Sequence, residues 1–352
     1  GLRRFKAGLK SPMLQMNLLA ALTGTCAAVL TWVFISLTKG IQGIFYGDSF
    51  IQNSLIDSGN EWKIIFIPAL GGLVAGLIIE YWSKDAKGAG VPLVMEAVAF
   101  KQARLSAKKA VAKCFAAAAC IGTGMSLGRV GPMVVISSTV GSEIGQRTGK
   151  TVDETRTLVG CGAASAITAA FNAPLGGVLF AIELILAELR TRSFIPIVVA
   201  VVIATIVVRG LTGDLAAFDS IPKYPLGSPT EYPLYIVLGL VTGLAAAGFI
   251  KLLNWVETNI EKIDIIPVPF RTCLGGLCVG LIALSFPQVL GNGFGVTSDL
   301  ISLDYDEGGN MALGSSFPVN LDMASGVTSL LIFVISIMLL KIIATSVSIG
   351  SG

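Results

Sequence analysis

The chain has 352 residues, of which 53% are hydrophobic and only 13% charged, with a net charge of +3 and a mean hydropathy of +0.79. Soluble domains carry about 25% charged residues, so this composition excludes a water-exposed globule and makes the lipid bilayer the natural solvent. Histidine is absent, which excludes His-based metal sites and Ser-His catalytic pairs; no enzyme activity, metal, cofactor or nucleic-acid partner is expected.

The opening stretch, "GLRRFKAGLKSP", is too polar for a signal-peptide core. It reads as a cytoplasmic or interfacial helix over residues 1–16. Long apolar runs follow at Asn17–Lys39, Trp62–Trp82, Thr157–Leu186, Phe194–Val208, Leu234–Trp255 and Val327–Ile349. Crossing hydrocarbon takes about 20 apolar residues in a helix, and backbone groups in lipid must bond one another. The fold class expected is therefore an all-α, polytopic, integral membrane protein, resident in the plasma membrane or an organelle membrane. Basic clusters fall at Arg3–Lys10, Lys84–Lys87, Lys101–Lys109, Arg147–Arg156 and Arg190–Arg192, and acidic ones at Asp48–Glu61, Asp214–Asp219 and Asp299–Glu307. The positive-inside rule assigns the first set to the cytoplasmic side and the second to the opposite side. The run "DYDEGG" (Asp304–Gly309) reads as a solvated outer loop rather than a calcium site. Cys26, Cys114, Cys120, Cys161, Cys273 and Cys278 all lie in apolar segments without a CxxC pair, and are expected to act as small hydrophobes.

The chain repeats itself. "LGGLVAGLI" at Leu70–Ile78 returns as "LGGLCVGLI" at Leu274–Ile282, and each is followed by a glycine-rich break, "GAGVP" (Gly88–Pro92) or "GNGFG" (Gly291–Gly295). "AKCFAAAACIGTG" (Ala112–Gly124) matches "LKIIATSVSIGSG" (Leu340–Gly352), and "LTGTCAA" (Leu22–Ala28) has an echo in "VTGLAAA" (Val241–Ala247). Matches in the same order point to duplication. The first copy starts behind a basic segment and the second behind the acidic Asp214–Glu231 loop, the charge pattern of inverted-topology repeats. This predicts one transmembrane repeat over 17–210, a connecting loop over 211–232 and a second, incomplete repeat over 233–352. The second copy stops at "GSG", where the first continues into "MSLGRVGP", so the natural protein is expected to extend further.

The stretches "KGAGVP" (Lys87–Pro92) and "GRVGP" (Gly128–Pro132) each place glycine ahead of a proline that can begin a helix. A helix starting there points unpaired amides and the positive end of its dipole at whatever lies before it. Two such ends converging inside a membrane make an anion site built mostly from backbone. Its predicted lining is Gly88, Ala89, Gly90, Val91, Pro92, Gly128, Arg129, Val130, Gly131 and Pro132. Lys87, Lys113 and Arg129 are expected to attract anions electrostatically. "GMSLG" (Gly124–Gly128) fits a nucleophile-elbow pattern, but without histidine Ser126 has no base to activate it. Glu183, near the end of an apolar helix, is expected to be structural.

"GAGVP", "GRVGP", the basic helix "KKAVAKCFAAAACIGTGMSLG" and above all "GCGAASAITAAFNAPLGGVLFAIE" (Gly160–Glu183) resemble the CLC chloride channels and anion/proton exchangers, from about Asn17 to Gly352. The resemblance implies a CLC-like inverted-topology repeat with broken and tilted helices. It also implies a homodimer in the lipid bilayer, with one pathway per subunit for chloride or a similar small anion. The departures carry the functional expectation. The family's usual elbow is GREGP, whose glutamate gates the pathway and carries protons; here that gate position is Val130. Exchangers of the family usually place a second, internal glutamate after the helix-ending one; here Leu184 follows Glu183. Coupled proton transport needs titratable groups within the membrane, so a passive anion channel or uniporter without proton coupling is expected. The family's GSGIP motif offers a serine hydroxyl where this chain has Ala89, which leaves nitrate and bromide open beside chloride. The alternatives are an anion/proton exchanger with an altered gate, and a non-conducting membrane scaffold that keeps the fold.

Overall fold

The computed structural model describes residues 11–47, 61–82, 90–187, 191–213, 229, 231–262, 266–301, 304–305, 311–312 and 326–351. The helices, in chain order, are α1 (Pro12–Tyr46), α2 (Glu61–Trp82), α3 (Gly90–Phe100), α4 (Ala107–Gly122), α5 (Val130–Arg147) and α6 (Val152–Phe171). They are followed by α7 (Pro174–Phe180), α8 (Thr191–Thr212), α9 (Glu231–Glu261), α10 (Val268–Ser285), α11 (Phe294–Ile301) and α12 (Gly326–Gly350). A short antiparallel pair joins β1 (Asp304–Tyr305), inside the acidic stretch read as a loop, to β2 (Met311–Ala312), just beyond it. The described cysteines are free thiols, with Cys114, Cys120 and Cys161 buried and Cys278 exposed. The basic start and Lys87, Gly88 and Ala89 lie outside the described residues.

Among the described residues six helices are long and apolar enough to cross a membrane, and they correct the sequence reading at two places. Val268–Ser285 is such a helix although it was not singled out as a long run, because Pro267, Pro269 and Arg271 interrupt its start in sequence. Thr157–Leu186 is not one helix. α6 ends at Asn172, whose backbone is left-handed (φ 49°, ψ 38°), and Pro174 then restarts the chain as α7. α7 passes directly into a wider π turn over Ala181–Leu186.

The described residues pack as two compact units. The first comprises Gly1–Lys39, Tyr81–Ala118 and Gly128–Ala217, and the second Gly40–Glu80, Ala119–Leu127 and Phe218–Gly352. In the first unit α6 is the central strut, buried along almost its whole length from Thr155 to Ala170 and packed against α5, α7 and α8. Small side chains make this possible: Leu158, Cys161 and Ala164 meet Ala181, Ile197 and Ala200 in one core cluster. The polar end of α6 carries a capping box, in which Thr151 accepts the Glu154 amide and Glu154 accepts the Thr151 amide. The Thr151 amide, helped by Lys150, holds the Glu154 carboxyl below its ordinary value.

The second unit shows why the duplicated glycines matter. α2 and α10 cross so closely that a Cβ on Gly72 would collide with the Thr272 carbonyl, and one on Gly276 with the Pro68 carbonyl. In the matched repeats Gly72 corresponds to Gly276 and Pro68 to Thr272, so the contact is the same when the two copies are exchanged. Two further pairs obey the same exchange. Gly76 lies against Pro269 and Gly280 against Ile65; Gly71 lies against Thr123 and Gly275 against Ser351. Close approach through small residues is how helices associate where lipid offers no hydrophobic drive.

Two outcomes test these contacts. Gly276→Ala is expected to cost about 1–3 kcal/mol, the usual penalty of overpacking, read as a lowered melting temperature in detergent. Gly239→Ala on α9, where an added Cβ meets nothing within 4 Å, is the neutral control. For the cap, the ionised Glu154 stabilises the fold above its ordinary pKa, and that contribution disappears as pH falls through the lowered folded value. Glu154→Gln should therefore melt below the parent at neutral pH and together with it in strong acid.

Candidate functional site

Within the first unit two helix beginnings meet. α3 starts at Gly90 in "GVP" and α5 at Val130 in "VGP", so proline takes the third helical position of each. The sequence reading began each helix at its proline; the helices start two residues earlier. The N–H at the third position has no intrahelical acceptor in any helix, so proline costs nothing there either. The open donors are the amides of Gly90 and Val91 in α3, and of Val130 and Gly131 in α5. Arg129 precedes α5 with φ −79° and ψ −18°, and no side chain caps the first turn.

Glycine sets the distance between the two beginnings. A Cβ on Gly90 would stand 2.6 Å from the carbonyl carbon of Gly131, and a Cβ on Gly131 would stand 3.4 Å from the Gly90 nitrogen. Gly90 and Pro132 are buried, Val91, Val130 and Gly131 are half-buried, and Pro92 and Gly128 are exposed. The positive ends of two helix dipoles thus lie side by side, with first-turn amides presented as donors. That arrangement can bind a small anion without any charged side chain.

The remaining predicted residues divide. The Arg129 guanidinium carbon sits 5.8 Å over the ring of Phe171, the last residue of α6. A cation–π contact of this kind ties the charge to its own helix junction. Lys113 on α4 is 8% exposed. Leu184 lies in the π turn, 42% exposed, and shares with Met95, Asp153 and Arg156 the wall of a cavity of about 400 Å³. The Arg156 side chain there donates to the Val98 carbonyl at 3.1 Å and approaches Asp153 at 3.4 Å. Ser126 is fully buried with its hydroxyl 2.9 Å from that of Thr345, a hydrogen-bonded pair rather than an activated nucleophile. Glu183 is exposed in the same π turn as Leu184.

Sequence reasoning missed residues that hold the second unit's break. Lys341 Nζ donates to the carbonyls of Val289 and Gly291, both at 2.7 Å, just before α11 begins. The Phe294 amide donates to Asn292 Oδ1 at 3.0 Å, capping α11. The signal was present, because in the duplicated match Lys341 stands where Lys113 does and Asn292 where Ala89 does. Alanine has no side chain with which to make that cap. Tyr46 also went unnoticed: its hydroxyl donates to the Thr123 carbonyl at 2.8 Å, while the Gly291 amide donates to the Gly124 carbonyl at 2.8 Å. Both bonds satisfy carbonyls where α4 ends.

A family model described as voltage gated chloride channel matches residues 71–352. The chain belongs to the voltage-gated chloride channel family. It is an integral, multi-pass membrane protein. A putative chloride channel protein ClcB-like from Ralstonia nicotianae is 31% identical over 293 residues, covering 81% of this chain and 67% of that protein. The voltage-gated ClC-type chloride channel ClcB of Yersinia pestis is 30% identical over 268 residues, covering 75% of this chain and 64% of the relative. The chain thus spans about two thirds of the length of these curated relatives. Among solved structures, a slow cyanobacterial Cl−/H+ antiporter aligns with a TM-score of 0.76 at 21% identity, over 97% of this chain and 75% of that one. A CLC-type fluoride/proton antiporter aligns with a TM-score of 0.71 at 16% identity, over 97% and 77%. At these identities the two structures establish a shared fold.

The junction yields an expected outcome. Gly90→Ala should force the two helix beginnings apart and weaken chloride binding by about tenfold, the equivalent of one hydrogen bond to a charged group. Isothermal titration of the full-length protein checks this. Gly210→Ala on α8, with open space around it, should leave binding unchanged.

Proposed function

We propose that this chain forms the conducting part of a passive anion channel or uniporter, with chloride as the first anion and no coupled proton movement. One observation carries the reading: Val130 occupies the first position of α5, beside the open amides of the junction. A carboxylate there would compete with an anion and could carry a proton; an isopropyl group does neither. Leu184, at the internal position, also lacks an ionisable group. The names of the curated relatives, chloride channels in Ralstonia and Yersinia, support chloride as the substrate.

The proposed lining runs over Gly88–Pro92 and Gly128–Pro132, with Lys87, Lys113 and Arg129 drawing anions toward it. Two inverted repeats, 17–210 and 233–352 joined by 211–232, are proposed to frame the pathway; the exchangeable contacts of α2 with α10 support the duplication. A homodimer with one pathway per subunit fits the exposed apolar faces of α7 and α8, where Leu175 is 80% exposed, Leu179 63% and Ile206 63%.

The test is chloride efflux from liposomes holding the full-length protein, with external pH recorded at the same time. Fast efflux without proton movement is expected. Proton uptake in proportion to chloride would overturn the reading in favour of an exchanger, and absence of flux for chloride, nitrate and bromide would favour a scaffold. Val130→Glu is expected to slow efflux at neutral pH, as a tethered carboxylate takes the anion's place, and to recover speed on acidification.

A further inference from the structure

α3 and α5 begin together at the junction and are tied again just beyond the end of α3. α3 has 11 residues and rises about 16 Å at 1.5 Å per residue. That is enough to run from the middle of a bilayer to its face but not across it. It ends at Phe100, which is 84% exposed. The chain then turns tightly. The Lys101 and Ala103 amides both donate to the Ala97 carbonyl, at 3.1 and 2.8 Å, and the Arg104 amide donates to the Lys101 carbonyl at 3.0 Å. Gln102 and Ala103 hold left-handed backbone, φ 53° and 59°, which residues bearing a Cβ keep only where their surroundings fix it. Ser142 of α5 pins this turn: its hydroxyl donates to the Ala103 carbonyl at 2.6 Å and accepts the Leu105 amide at 3.0 Å. Ala103 and Leu105 are buried, and the alternate residues Gln102, Arg104 and Ser106 are exposed.

Charge and apolarity meet on this turn. The positive-inside rule assigns the cluster Lys101–Lys109 to the cytoplasmic side. Its nearby carboxylates are taken, Glu96 by Lys101 at 2.8 Å and Glu143 by Arg147 at 3.2 Å. Arg104 and Lys108 are exposed and, among the described residues, neither meets a carboxylate. Lys108 stands in the first turn of α4, which holds no acidic residue. The helix dipole disfavours a cation there, so this charge does not serve its own helix. Two unmatched cations near an exposed phenylalanine fit a ligand that is anionic at one end and apolar at the other. A phosphodiester can take the paired N–H donors of a guanidinium, and acyl chains can take the ring at the interface. A choline headgroup would set its own cation against Arg104 and Lys108.

We propose that Arg104 and Lys108 hold the phosphate of an anionic phospholipid of the cytoplasmic leaflet, with Phe100 among its acyl chains. The lipid anchors the turn between α3 and α4. This role is independent of anion flux, so its failure would leave the transport reading untouched.

The experiment is native mass spectrometry of the full-length protein in detergent, offered equal amounts of phosphatidylglycerol and phosphatidylcholine. Retention of the glycerol lipid over the choline lipid by roughly tenfold is expected, the ratio that one charge-assisted hydrogen bond commands. Arg104→Gln and Lys108→Gln should each lower that ratio severalfold, and the double variant should bring it near one. Arg147→Gln removes the same unit of charge from a cation already paired with Glu143, and should leave the ratio unchanged. Equal retention of the two lipids by the unaltered protein, or a ratio that the double variant does not move, overturns the proposal. An equal fall in all three single variants also overturns it, because that marks diffuse attraction instead of a site.

Discussion

Hydrocarbon offers no water to a peptide group, so every backbone N–H and C=O inside a bilayer must find a partner in the protein or in a ligand. The long helices α1, α8 and α9 meet that demand internally. α3 and α5 do not, because each begins in the chain's interior and opens with two amides that no side chain caps at α5 and no earlier carbonyl can reach. Their prolines, Pro92 and Pro132, each remove one donor, so fewer first-turn amides need an acceptor than in an ordinary helix. A small mobile anion is an acceptor of the right sign and size. In the proposed function the permeating ion is thus the ligand that completes the backbone hydrogen bonding of the broken helices.

Bringing two positive helix ends together requires the backbones nearly to touch, and this explains where glycine is indispensable. At Gly90 the obstacle to any side chain is the Gly131 carbonyl, a rigid group that cannot rotate aside. The α2–α10 crossing follows the same logic twice over, with Gly72 against the Thr272 carbonyl and Gly276 against the Pro68 carbonyl. When one contact involves both members of a duplicated pair, a side chain added to either copy breaks it. The duplication is therefore legible in packing as well as in sequence, and the two records agree residue for residue.

Much of this was readable from the chain alone, for physical reasons. Apolar length gave the spans, since hydrophobicity over about 20 residues is what lipid selects. Gly-Pro spacing gave the two elbows, because few other residues permit a helix to begin at close quarters. What escaped depends on local competition between residues. The break at Asn172 lies inside a continuous apolar run, where hydropathy is blind to a left-handed backbone and to Pro174 just after it. α10 was hidden by Pro267, Pro269 and Arg271, which lower the apparent apolarity of its first turn while leaving the rest long enough to span. Lys341 reads as a costly charge in an apolar helix; only tertiary structure reveals that the carbonyls of Val289 and Gly291 receive its ammonium. The two repeats also solve the same problem differently: Asn292 caps α11 with its own side chain, whereas Ala89, its counterpart, cannot.

That difference sharpens the meaning of Val130. A carboxylate at the first turn of α5 would be drawn to the amides by the helix dipole and would fill the junction with a charge that depends on pH. With valine there, the peptide dipoles of the junction, which do not titrate, act beside the Arg129 guanidinium that rests against Phe171. Peptide dipoles are also fixed in direction by the helices that carry them, so they need no reorganisation when an ion arrives or leaves. In the proposed function such fixed dipoles favour passage over capture: binding is favourable enough to admit an ion, and no tethered carboxylate competes for its place. In the proposed function, one uncharged side chain at the head of α5 thus has two consequences: it leaves the elbow without a proton carrier, and it keeps the pathway's attraction steady across pH.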